Sequence, residues 1–366
     1  MINTMQHPND IAFAKKICDY SIELKPGEKV WVELIGLNGI GLVQALVKEI
    51  RAMGGHPFVK LMDPVIKRTL LDTGDKAFWQ TQCKLDGEAL MEKMDAFIGI
   101  RASENGFESC DIDQNKLEAY NLHYLKPVHL EKRVKGTKWV IMRYPSAAFA
   151  MNARMSTEAF EQFYYDACLF DYETLSAAIQ PLEDLLRQTD RIRLKGEGTD
   201  ISFSVKNQNW ISCVGKRNLP DGELFSAPIL DSINGTISYA PSLYDGKPFD
   251  FVKLVVKEGV VVDYDSSNNK ALSEILETDA GAKRFGEFSF GLNTSIKEPM
   301  WDILFDEKIY GSNHLTLGQD YDEASNGNSS TIHWDLVNIG SDVYLDDVLV
   351  RKGRLFVLDE LKALNP

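Results

Sequence analysis

The sequence predicts an α/β N-terminal domain with a mostly parallel sheet, followed by a strand-rich α+β C-terminal domain. Three observations predict it. The chain has 366 residues, more than one hydrophobic core usually organises. Its first half alternates helical and extended patterns, the signature of βαβ units. From about residue 191 the texture changes to short strands separated by Gly and Asn/Asp turns. The expected domains are therefore 1–190 and 191–366.

The elements follow in order. Asn9 or Asp10 caps a first helix running towards Leu24. "PGEK" turns the chain into "VWVELI" at 30–35, an apolar, β-branched run suited to a strand covered on both faces. "GLVQALVKEIRAMGG" at 41–55 has helical periodicity and ends on glycines. "HPFVKLMD" is the next strand, and this βαβ unit requires a parallel sheet. "DAFIGIRA" at 95–102 and "TKWVIMRYP" at 137–145 are further strands. Between them "DQNKLEAYNLHYLKPVHLEKRV" reads as a helix broken at Pro127. The stretch 156–190 is helical, with an interruption expected at Pro181. Beyond 191, "GTISYA", "FDFVKLVVKEGVVVDY" and "DVYLDDVLVRKGRLFVL" are strands, with one helical stretch at "NKALSEILETDAGAKRF".

Composition narrows the function. A formal charge of −14 repels phosphate backbones, so no nucleic-acid partner is expected. No apolar run reaches the roughly 20 residues of a membrane helix. "MINTMQHPNDIAFAKKICDYSIEL" has no apolar signal-peptide region. Five cysteines without a CxxC pair read as free thiols in a reducing compartment, so a cytoplasmic location is expected. "GLNGIG" at 36–41 follows a strand and opens a helix, as a dinucleotide fingerprint would. Its glycines have the wrong spacing to bring backbone amides to a pyrophosphate.

Candidate chemistry gathers in the second half. Glu223 lies in "NLPDGELFSAP", Glu287 in "RFGEFSFGLN", Glu307 and His314 in "DEKIYGSNH", and His333 and Asp335 in "IHWD". In a strand, His333 and Asp335 share a face while Trp334 packs behind. Imidazole and carboxylate together suit a divalent metal. Taken singly, each motif also has a structural reading: a surface His–Asp pair, or carboxylates hydrogen-bonded to backbone. Jointly they make a case for metal. His7, His56, His123 and His129 lie in surroundings that suggest surface or capping roles.

These four motifs, in this order, resemble the M29 family of metallo-aminopeptidases. The resemblance implies a site of two divalent ions (zinc, cobalt, manganese or magnesium) held by Glu223, Glu287, Glu307, His314, His333 and Asp335. Glu287 would bridge the ions or lie nearest the activated water. Tyr321, seven residues after His314, matches a tyrosine the family keeps near the metals. The family's usual "HLALG" is "HLTLG" here, with Thr316 in place of a small residue, and the spacing before His314 differs. The implied activity is hydrolysis of N-terminal residues from peptides with a free N-terminus. Glu287 would act as base and Tyr321 as oxyanion donor. A homodimer with the site facing an enclosed space is also implied. Two rivals share the motifs: a metal-dependent amidase on a non-peptide substrate, and a binding protein without turnover.

Overall fold

Every residue of the strand Lys29–Ile35 except Lys29 is buried, as a strand covered on both faces of its sheet requires. This is β1 of a computed structural model that describes residues 7–366. The first six residues, part of the stretch read for a signal peptide, lie outside that range. The chain divides into two units. The first comprises Met1–Leu169 with Gly215–Leu219, and the second Phe170–Val214 with Pro220–Pro366.

In the first unit β1 pairs in parallel with β2 (His56–Met62) on one side and β3 (Ala96–Arg101) on the other. β4 (Lys138–Arg143) follows β3, and Asn218–Leu219 closes the edge, also parallel. The expected parallel α/β sheet is therefore present. Trp31, Phe97, Trp79, Met91, Met94 and Val128 form a core against this sheet.

Three local expectations are corrected. The first helix is Pro8–Lys16, capped by His7, whose side chain accepts from the Asn9 N–H; Asp10 is buried inside it and accepts from Tyr165 and Tyr144. Pro127 does not break its helix. The chain continues from Gln114–Tyr120 into a π-helical run, Asn121–Arg133, with the proline inside. A wider turn accommodates the missing N–H and the ring. The helical stretch after 156 is interrupted at 169–171, between Thr157–Cys168 and Tyr172–Leu186, and Pro181 sits within the second helix. That second helix, counted with the first domain in the sequence reading, belongs to the second unit.

The second unit is strand-rich and antiparallel. One sheet of eight strands contains Arg191–Gly196, Thr199–Ser204 and the C-terminal strands. A second sheet places Phe285–Gly291 between Glu223–Ser226 and Ser312–Gly318, with His333–Trp334 beyond. Phe288 and Phe290 alternate with Glu287 and Ser289 along the central strand. The two phenyl rings pack with Phe203 and Trp210 in the core. The polar side chains take the opposite face.

Candidate metal centre

Strand register assembles that polar face. Ser289 lies opposite His314, Glu287 opposite Thr316, and Gly291 opposite Glu223. Gly318 pairs with His333, which brings the "HWD" segment alongside. The resulting cluster is almost wholly buried.

His314 Nε2 lies 2.9 Å from Glu287 Oε1 and 3.6 Å from Glu223 Oε2. His333 Nε2 lies 3.1 Å from Asp335 Oδ1 and 3.7 Å from Glu287 Oε2. Two three-ligand groups therefore form, Glu223–Glu287–His314 and Glu287–His333–Asp335, with Glu287 in both. Within each, one ligand atom per residue lies within 4.8 Å of the others.

The neighbours hold these side chains in place. His333 Nδ1 donates to the Gln319 carbonyl at 2.8 Å, which turns Nε2 towards the carboxylates. Gly286 makes room for that carbonyl, since a Cβ there would come within 2.4 Å of it. Thr316, the departure from the family's small residue, donates to Asp335 Oδ1 at 2.6 Å. Ser289 donates to Glu223 Oε2 at 3.2 Å. Trp334 is buried behind the pair, with its indole N–H on Ser242 Oγ at 3.0 Å.

Glu307 is in neither three-ligand group, although it lies near enough to feel the charges of Glu223, Asp335 and His314. Its carboxylate accepts from Lys308, which also donates to Glu223 Oε1 at 2.8 Å. Lys308 is 0% exposed and was not singled out from the sequence. Burial alone would lower its pKa, yet Glu223, Glu307 and Asp221 hold the ammonium charged. A third group, Cys213–Asp221–Glu223, flanks the lysine. Burial pushes the Cys213 thiol up, so it stays protonated. Tyr321 stands at the rim, 45% exposed, its ring 4.8 Å from His333 and 5.7 Å from Phe225. Desolvation and the carboxylates keep its phenol protonated.

The electrostatics show a demand for positive charge. Burial would lower the imidazole pKa values. The carboxylates outweigh it, lifting His314 to about 9, chiefly through Glu287, and His333 to about 10, chiefly through Asp335. Burial pushes Glu287 up despite His314. Two buried atoms, Glu287 Oε2 and His314 Nδ1, have no hydrogen-bond partner. Oxygen and nitrogen donors crowded in this way fit hard or borderline divalent cations, which would displace the imidazole protons.

A parallel α/β unit followed by an antiparallel unit with a buried carboxylate–imidazole cluster defines a candidate metal-dependent protein. The chain belongs to the thermophilic metalloprotease family, M29, whose model matches residues 9–347. Membership implies a divalent metal. Aminopeptidase 2 of Geobacillus stearothermophilus is 30% identical over 150 residues, 36% of each chain. Aminopeptidase AmpS of Bacillus subtilis is 24% identical over 267 residues, 64% of each. Aminopeptidase T of Thermus thermophilus is 28% identical over 207 residues, 47% of this chain and 50% of that one. These alignments thus span about a third to under two thirds of the relatives' own length. The solved structure of wild-type AmpT from Thermus thermophilus superposes with a TM-score of 0.82 at 18% identity, covering 96% of this chain and 99% of that one. A dihydroxypyridine dioxygenase from Pseudomonas putida has the same fold at a TM-score of 0.62 and 13% identity, covering 97% and 99%.

Proposed function

We propose that this chain is a metal-dependent aminopeptidase that removes N-terminal residues from peptides. The observation that carries the reading is the pair of three-ligand groups sharing Glu287. Two adjacent groups with one common carboxylate support a count of two divalent ions, held by Glu223 and His314 on one side and His333 and Asp335 on the other. The donor set suits zinc, cobalt, manganese or magnesium. Glu307 acts through Lys308, fixing Glu223 from behind.

Divalent ions supply a water of lowered pKa and a polarised carbonyl. The residues do the rest. Glu287 Oε2, buried and without a hydrogen bond, accepts the proton of the attacking water and delivers it to the leaving amine. Tyr321, protonated and at the open rim, donates a hydrogen bond to the developing oxyanion. His333 is held by the Gln319 carbonyl, and Asp335 by Thr316, so neither moves as charge shifts.

A dioxygenase shares the fold, so the fold alone does not set the reaction; the side chains of the site do. A cytoplasmic location is supported by five free cysteines. Among the described residues no helix is long and apolar enough to cross a membrane. A homodimer rests on the family resemblance; light scattering after size exclusion tests it. The test of the activity is a panel of short peptides with free and N-acetylated termini. Release of the first residue from free termini only is the expected result. Equal cleavage of both forms contradicts an aminopeptidase, and cleavage only of non-peptide amides favours the amidase.

A further inference from the structure

We propose that Asp320 is a positioning residue for the reaction. It closes the turn 321–327 and so fixes Tyr321 at the rim and the Gln319 carbonyl on His333. The part played through Tyr321 rests on the aminopeptidase reading. The part played through His333 rests only on the metal centre.

The sequence around Tyr321 gives it little rigidity of its own. "DYDEASNGNSS" at 320–330 is built of small and polar residues that favour turns. The Tyr321 ring meets Phe225 and His333, yet nearly half of the residue faces solvent. A hydroxyl that is to meet an oxyanion has to be held to within about half an ångström. Packing on two rings does not do that, so the backbone has to.

Asp320 supplies the constraint. It is 8% exposed, and both carboxylate oxygens are used. Its Oδ2 accepts from Ser325 Oγ at 2.5 Å, from the Asn326 N–H at 3.0 Å and from the Gly327 N–H at 2.8 Å. Gly327 turns its N–H inward from a φ of +84°, a conformation that glycine enters freely. The Tyr321 carbonyl accepts from the Ala324 N–H at 3.0 Å, and Ala324 is buried. The chain is therefore pinned on both sides of the tyrosine. Asp320 Oδ1 accepts from Gln319 Nε2 at 2.8 Å, while Gln319 Oε1 accepts from the Ser330 N–H at 3.0 Å. Both ends of that amide are held, and the main-chain carbonyl of the same residue receives His333 Nδ1. One carboxylate thus stands between the tyrosine and a histidine of the metal centre. Hydrogen bonds to an ionised carboxylate are the strong kind.

The turn is also tied to the strands that carry the acidic ligands. Asn326 Nδ2 donates to the Pro228 and Phe285 carbonyls, both at 2.8 Å. Phe285 opens the strand of Glu287, and Pro228 lies just past the strand of Glu223. Further on, Asn328 donates to the Gly281 and Gly318 carbonyls, and Ser330 and Thr331 donate to Asp279. Those anchors do not involve Asp320. A change at 320 loosens the half that holds Tyr321 and leaves the far half in place.

The test uses full-length protein and the variants Asp320→Ala, Asp320→Asn, Tyr321→Phe and the double variant Asp320→Ala with Tyr321→Phe. Three quantities are read: kcat and KM for release of the first residue from an unblocked peptide, zinc affinity by competition with a chromogenic chelator, and amide hydrogen exchange over 321–328. Asp320→Ala should lower kcat by roughly thirtyfold with KM little changed. Asp320→Asn, whose amide oxygen still accepts from Asn326 and Gly327, should fall between it and the unaltered protein. The double variant should be no more than about threefold slower than Tyr321→Phe alone, because both changes act on one group. Asp320→Ala should also weaken zinc binding by roughly tenfold through His333 and speed exchange at Asn326 and Gly327. Unchanged kcat in Asp320→Ala overturns the proposal, as do losses that multiply in the double variant, which is what a merely structural role gives. If the unaltered protein releases no residue from any peptide, the aminopeptidase reading fails by itself. Zinc affinity and exchange then decide, and Asp320→Ala matching the unaltered protein in both overturns the proposal. If Asp320→Ala does not fold, the same comparisons made with Asp320→Asn decide.

Discussion

Each unit gathers charges around buried glutamates, and the excess has opposite sign, with Lys60, Lys67 and Arg101 of the first unit only half-buried. In the second unit, Glu223, Glu287, Glu307 and Asp335 outnumber their one fixed cation, Lys308. In the first, Arg101, Arg133, Lys60 and Lys67 outnumber Glu33 and Asp86. Histidine reports the contrast. Burial lowers the pKa of an imidazole in either place. Carboxylates reverse that for His314 and His333, whereas His129, with Arg133, Arg101 and Lys60 near it, falls to about 4. The lesson is that burial alone does not set protonation. Burial prevails at His129, where Glu33 does not overcome it, whereas the carboxylate excess around His314 and His333 does.

The largest expected effect breaks the acidic cluster at its shared member. Glu287→Gln should lower kcat by about 10³-fold, from loss of the base and of the shared carboxylate. Its Tm should hold or rise in metal-free protein, because a crowded charge is gone. Steady-state kinetics and melting curves check both. Lys308→Met should leave Glu223 and Glu307 buried without their cation, at a cost of about 3–5 kcal/mol. Urea unfolding measures it. A saturating divalent ion should recover part of the loss, whereas full stability without metal would mean the ammonium is dispensable.

The pH dependence sharpens the contrast. His129 has a folded pKa below its unfolded value of 6.5. Its contribution is therefore complete above about pH 6.5 and is lost as pH falls towards about 4, worth about 3 kcal/mol at most. His129→Gln should flatten that acid limb in unfolding measurements. His314 and His333 are raised instead. In chelated protein they contribute stability below pH 6.5 that is lost as pH rises through about 9 to 10. Metal should abolish that alkaline loss by replacing the protons. The smallest effect expected is from Tyr321→Phe, about 10²-fold in kcat with little change in KM or Tm, since the ring and its packing remain.

Much of this was legible from sequence, and the exceptions have physical reasons. The β1 and β3 runs announced a buried parallel sheet because unbroken apolar stretches fit a strand covered on both faces. "IHWD" announced a shared face because strand periodicity is two. Glu223, Glu287, His314, His333 and Asp335 do converge, although they span more than a hundred positions. Lys308 was invisible. Between a glutamate and an isoleucine it reads as a solvated surface lysine, and only the fold sets it against Glu223, 85 residues away. Glu307, expected as a ligand from the resemblance, is engaged by that lysine beside the cluster. The surroundings of His129 were hidden for the same reason. Lys60, Arg101 and Arg133 come from three separate elements with no common spacing, so His129 among them read as a surface or capping residue although it is buried. Pro127 misled because a proline's missing N–H predicts a break, whereas a π turn absorbs it.

The most direct test of the central claim follows release of the N-terminal residue from an unblocked peptide as purified, after chelation, and after return of single divalent ions. The account predicts that activity is lost on chelation and restored by at least one of zinc, cobalt, manganese or magnesium, with elemental analysis giving two ions per chain. Peptide hydrolysis that survives complete removal of metal would contradict it.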